Sequence, residues 1–315
     1  GPRTFSTGEI IYGAKQPEVY AQIDSLDDAR AHVRRLKAQG AHSIKNYNQP
    51  RREQRQQVIA AALEENMRSV AEGGSLFGFD MTLIADGNTT VEHNIPLSTF
   101  YDDVLQFFSK SKTGYTPTLV VTYGGPAGDP YWRAHTDVWR NPLLQKHEPP
   151  SILNAANARR QIAPEEDYVD DDNAREARKL AKLGVPVSIG AHGQEPGIAA
   201  HWELWSFVRG GMSPIEALAA GTINAARSLG YDRDVGSLEA GKLADLVILD
   251  ADPSADIRNS DKISKVMIGG RLYDAATLNE EITGTRKRKP YFWEQSAGSE
   301  AMSAQPGADF GHGDR

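Results

Sequence analysis

The chain contains no cysteine, which excludes disulfides and thiolate metal sites and leaves the redox compartment open. It has no apolar run near the ~20 residues that cross a bilayer as a helix, so no membrane span is expected. It lacks a concentrated basic surface. The formal charge is −7, and phosphate-backbone binding needs clustered positive charge, so nucleic acid is not an expected partner. The one dense basic run, Arg286-Lys287-Arg288-Lys289, reads as a solvated turn. No His-x-His pair occurs anywhere in the 315 residues. No methionine opens the chain either, and Gly1-Pro2-Arg3 reads as the middle of a longer protein.

What is present is an alternation of helix and strand signals. Asp24 to Gln39 reads as a helix, with apolar residues Ala29, Val33 and Leu36 on one face and Gly40 as its stop. A short strand follows at Ser43–Tyr47, then a helix at Arg52–Glu65 and a strand around Arg68–Glu72. The rhythm predicts helix Ser75–Asp86, strand Thr89–His93, helix Leu97–Ser109 and strand Thr116–Thr122. Residues 124–170 read as a long ordered loop, and the rhythm resumes with helix Asp172–Leu183 and strand Val185–Ala191. Three helices close the series at Ala199–Arg209, Ser213–Ala220 and Thr222–Leu229. Such spacing argues for parallel βαβ units.

Polar residues at the ends of these strands are the candidates for chemistry, because that is where an α/β barrel places its active site. Lys45, Glu72, His93 and His192 each stand at a strand end. Tyr47, Tyr123, Trp132 and Arg159-Arg160 are candidates to line a substrate pocket, with Arg159 suited to a substrate carboxylate.

The stretch from Gly236 to Asp250, GSLEAGKLADLVILD, pairs a glycine turn with a short apolar strand. It resembles the segment by which metal-dependent amidohydrolases leave their catalytic barrel and enter a small β-sandwich. Ile44-Lys45-Asn46-Tyr47, Ala71-Glu72-Gly73-Gly74, Val91-Glu92-His93 and Gly190-Ala191-His192-Gly193-Gln194 extend the likeness. They resemble the imidazolonepropionase-like and Xaa-Pro dipeptidase-like branch, in particular members carrying a TolB-like propeller ahead of the hydrolase domain.

The resemblance implies a (β/α)8 barrel over residues 1–235 that lacks about three strands at its front. It also implies β-sandwich strands over 236–290, and residues 291–315 read as a poorly ordered tail. It implies a divalent metal, with zinc the default for mixed nitrogen and oxygen ligands. Lys45 takes the bridging-lysine position and His93 a histidine position. Glu72 stands where a histidine is usual, and His192 near where the final-strand Asp is usual, as ligand or proton carrier. Glu195, Glu203 and His201 stay open as replacements for that Asp. The expected activity is hydrolysis of an amide, cyclic amide or peptide-like bond by a metal-activated water. The alternative is a binding module that has lost catalysis with its HxH ligands. Relatives with the propeller are often exported, and a homo-oligomer covering the helix of Trp202 and Trp205 is a further expectation.

Overall fold

The computed structural model of the chain describes residues 3–13, 20–193 and 195–295. Six strands form a parallel sheet: β1 (Ile10–Tyr12), β2 (Tyr20–Gln22), β3 (Ser43–Asn46), β4 (Arg68–Glu72), β5 (Thr90–Glu92) and β6 (Gly114–Thr116), in the order β2-β1-β3-β4-β5-β6. Beyond β6, Val187 continues the sheet by a single parallel bridge to Tyr115. The expected strand Val185–Ala191 is therefore reduced to that bridge. The α/β class and parallel sheet agree with the sequence reading, while the described residues do not close a barrel.

Helices α1 (Leu26–Ala38), α2 (Arg52–Glu64), α3 (Phe77–Ala85) and α4 (Asp102–Ser111) return the chain between these strands. Helix α1 starts where Ser25 accepts the Asp28 N–H at 3.1 Å, and it ends in basic residues that suit the helix dipole. Its apolar stripe, Ala29, Val33 and Leu36, is fully buried with Ile44 and Val58. Strand residues alternate, as period two demands. Ile44, Ala71, Val91 and Tyr115 pack beneath the helices. Lys45, Glu72, Glu92 and Thr116 take the opposite face, with Glu72 opposite Glu92 and Glu92 opposite Thr116 in register.

The predicted strand Thr116–Thr122 does not form. Pro117 removes a donor, Thr118 adopts a left-handed backbone with φ 54°, and Leu119–Val121 coils into a 3-10 turn. Residues 124–170 are not a loop but hold three helices: α5 (Gly128–His135), α6 (Pro142–His147) and α7 (Pro150–Ala158). Pro142 and Pro150 sit in first helical turns, where their missing N–H costs nothing.

Helix α8 (Asp170–Lys182) leads back to the sheet, and α9 (Ile198–Arg209), α10 (Pro214–Ala220) and α11 (Ile223–Leu229) follow. Helix α9 runs through the larger core. Trp202 is fully buried, and the Trp205 indole N–H reaches Ile257 O and Ser260 Oγ, each at 3.0 Å. These tryptophans are covered by their own chain.

After α11 the chain forms a three-stranded antiparallel sheet, β7 (Leu246–Leu249), β8 (Ile263–Ile268) and β9 (Arg271–Asp274). Gly269 and Gly270 both take positive φ, as the tight β8–β9 hairpin requires. Asp245, the acid of the Gly236–Asp250 motif, accepts the Gly269 N–H at 2.7 Å and pairs with Arg3. The sheet's residues are partly to largely exposed, and no second sheet faces it among the described residues. Part of the predicted tail, 291–295, holds about one turn of helix, Phe292–Gln295; residues 296–315, His312 included, lie outside the described residues.

Candidate functional site

The ends of β3, β4 and β5, with the turn after Val187, bring four of the predicted residues to one place. Lys45 donates from Nζ to Glu72 Oε2, across the ends of β3 and β4. Glu72 Oε1 lies 4.0 Å from His93 Nε2, and the rings of His93 and His192 meet edge to face at 5.0 Å. Tyr47 and Tyr123 complete the surround: Lys45 Nζ is 5.6 Å from the Tyr47 ring, and the Tyr123 ring is 5.6 Å from His93. Arg159 is not there. It is exposed beyond the end of α7, and its neighbour Arg160 stacks at 4.7 Å over Trp139.

Two features mark this as more than a strand-end cluster. His93 and His192 both adopt left-handed backbone, φ 69° and 52°, a conformation few non-glycine residues accept and one that gathers at functional sites. His93 is also buried, and its Nδ1 finds no donor or acceptor. Burial drives its pKa down to about 4, against the opposing pull of Glu72, so the ring is neutral at pH 7 and keeps a lone pair for a ligand or a proton.

The supports behind these groups were not readable from sequence. Asn94 clamps the Tyr123 backbone, accepting its N–H at 2.7 Å and donating to its carbonyl at 3.2 Å. Asp80, fully buried in α3, accepts the Gly74 N–H at 2.8 Å and so fixes the turn after Glu72. Burial pushes its pKa up to about 7. Its one sequence signal is a lone acid in the otherwise apolar run Phe77–Ala85. Gly73 lets β4 and β5 touch at their ends, since a Cβ there would come within 2.8 Å of Glu92 O.

The three residues open as replacements for the final-strand Asp have other duties. His201 bonds Ser260 Oγ at 3.0 Å. Glu195 pairs with Arg133. Glu203, fully buried on α9, accepts the N–H of Val120 at 2.7 Å and of Gly190 at 3.1 Å. It is a brace for the strand ends beside His192. Burial raises its pKa to about 8 despite those bonds, so it folds as the neutral acid. The stability it contributes is complete below the unfolded value of ~4.3 and is lost as pH rises through 8. Glu203→Gln is expected to flatten this decline, by a few kcal/mol on the order of magnitude. Denaturant titrations at stepwise pH check it, and an unchanged slope in the variant would refute the neutral brace.

The donor types at the site suit a divalent ion: a carboxylate, a neutral imidazole and a second imidazole. Glu72 is at the same time engaged by Lys45. Among the described residues no three His, Asp or Glu side chains converge closely enough for an ion.

Comparison with known proteins bears on the fold around this arrangement. The Amidohydrolase family profile matches residues 148–273. That stretch belongs to the amidohydrolase superfamily. The imidazolonepropionase of Symbiobacterium thermophilum is 46% identical over 77 residues, 23% of this chain and 18% of that enzyme. The matched stretch thus spans about a fifth of that curated relative's length. Among solved structures, a Xaa-Pro dipeptidase with methionine bound in its active site superposes with TM-score 0.62 at 21% identity, covering 87% of this chain and 68% of that one. A putative prolidase from Bifidobacterium longum gives TM-score 0.62 at 22% identity, covering 92% and 68%. These likenesses are of fold. The amidohydrolase match at 148–273 takes in His192 and the β7–β9 sheet, while Lys45, Glu72 and His93 precede it.

Proposed function

We propose that the protein hydrolyses a carbon–nitrogen bond of an amide, cyclic amide or peptide-like substrate, using a water activated by a divalent metal, with zinc the first choice. The observation that carries the reading is His93: a buried, neutral imidazole on strained backbone, set between Glu72 and His192 at the strand ends. Family membership supports the bond type, and the donor chemistry supports the metal.

When bound, the metal would polarise the scissile carbonyl and lower the pKa of a water. Glu72, His93 and His192 would hold it, with Lys45 joining once its nitrogen is no longer an ammonium. The chain's own residues do the rest. Asp80 and Gly73 fix the Glu72 turn, Asn94 holds Tyr123 against His93, and Tyr47 walls the Lys45 side. His192, exposed at the mouth, would carry a proton between the site and solvent.

The test is elemental analysis of protein purified without chelator, for the wild type and His93→Ala, alongside hydrolysis of a panel of amides and dipeptides. Near-stoichiometric metal that vanishes in the variant, with chelator-sensitive hydrolysis, is expected. Folded wild-type protein that takes up no added zinc would overturn the reading.

A further inference from the structure

The helical insert α5–α7 is fastened to the turn beyond His192 by one buried polar cluster. Arg133 on α5 donates from Nε to Asp129 Oδ1 at 2.8 Å, from Nη1 to Asn157 Oδ1 at 3.2 Å, and from Nη2 to Glu195 Oε2. Glu148, between α6 and α7, brings its carboxyl within hydrogen-bond reach of Glu195. Both glutamates are buried, 8% and 2% exposed. Glu148 Oε2 and Glu195 Oε1 meet no N–H or O–H donor.

The charges do not balance if every acid is ionised. Asp129, Glu148 and Glu195 face the single guanidinium of Arg133. From the same side Asn157 is neutral. His147, next in sequence, turns away to Ala275 O and the Tyr291 hydroxyl, at 2.8 and 2.9 Å. Two carboxylates that touch in a buried site cannot both stay charged at low cost, and one proton between them removes both the repulsion and the two orphaned oxygens.

We propose that Glu148 and Glu195 share one proton, and that this carboxyl pair is a clasp that holds the α5–α7 insert against the His192 turn and loosens as pH rises. The clasp stands independently of the hydrolytic reading. Burial, then the bond to Glu195, push the Glu148 pKa up to about 7, with Arg133 opposing. A carboxyl raised in the folded state gives its full stabilisation below the unfolded value of ~4.3. That stabilisation drains away as pH rises and is gone above 7.

Hydrogen exchange of peptides from 128–158, corrected for intrinsic rates and run from about pH 5 to 9, reads the clasp directly. Wild-type protection is expected to fall by at least about tenfold as pH rises from 5 and to level off above about 7. Glu148→Gln, whose amide N–H replaces the shared proton, is expected to stay protected throughout. A wild type with no such transition, or a variant with the same one, would overturn the clasp. A second measurement covers a variant that folds badly. In Glu203→Gln protein carrying carbon-13 glutamate carboxyls, one resonance is expected to titrate near 7. All glutamates titrating below about 5 would refute the shared proton.

Discussion

An Asp86→Ala variant is expected to lose about 3–5 kcal/mol of unfolding free energy, the usual cost of stranding one partner of a buried ion pair. The Asp86 and Arg55 side chains are 1% and 2% exposed. Arg55 reaches Asp86 Oδ2 through Nε at 2.7 Å and Nη2 at 2.5 Å. Arg52 Nε and Gln56 Nε2 take Oδ1, each at 2.9 Å. Without the carboxylate, the Arg55 guanidinium keeps only Thr82 Oγ1 as an acceptor and the Phe79 ring 5.1 Å away. Arg52→Ala is the control: its side chain is 53% exposed, so its loss should cost less than ~1 kcal/mol. Urea midpoints at constant m-value decide between the two. Equal, small effects would mean that the pair does not hold α2 to α3. Those helices back β3 and β4, so the same variant should loosen the strand ends that carry Lys45 and Glu72.

The parts of this molecule that were legible in its sequence are those where local pattern and tertiary role agree. Helix α1 announced itself through Ser25, a three-residue apolar stripe and Gly40. Lys45, Glu72, His93 and His192 were visible because each follows an apolar strand run and so falls at the strand's end. The misses have physical causes. Strands β1 and β2 span three residues each, too few for an alternation to register. Pro142 and Pro150 look like breakers but begin helices. Pro117 and the left-handed Thr118 turned an apparent strand into a 3-10 turn. Arg159 carries the charge expected of a substrate clamp, yet its helix leaves it in solvent. The braces were the least legible. Asn94 with Tyr123, Glu203 with Gly190 and Arg133 with Glu195 join residues 29, 13 and 62 positions apart, and no local pattern encodes such pairs.

Zinc and bicarbonate are expected to bind cooperatively, each tightening the other by roughly 10- to 100-fold, and Lys45→Ala to abolish the coupling. The argument rests on charge. With Lys45 an ammonium, it neutralises Glu72 and the two form a closed ion pair, their side chains 22% and 18% exposed. Carboxylation reverses the sign of one partner. The ammonium first gives up one proton; the neutral amine then adds through Nζ to the carbon of carbon dioxide, an N–C bond forms as one C–O π bond breaks, and a second proton leaves to solvent. The side chain goes from +1 to −1 beside Glu72, with Glu92 in register on the next strand. Such a group of anions is unfavourable in a partly buried site unless a divalent cation lies among them, with His93 offering a lone pair. On the proposed reading the ion pair and the metal site would be alternative states of the same four residues, and carbon dioxide would bias the choice. Equilibrium dialysis of zinc with and without bicarbonate, and intact-mass measurement of the zinc-loaded protein, test the exclusion. Zinc affinity indifferent to bicarbonate in both proteins, with no added mass on the wild type, would leave Lys45 as the permanent counter-ion of Glu72. The metal would then rest on Glu72, His93 and His192 alone.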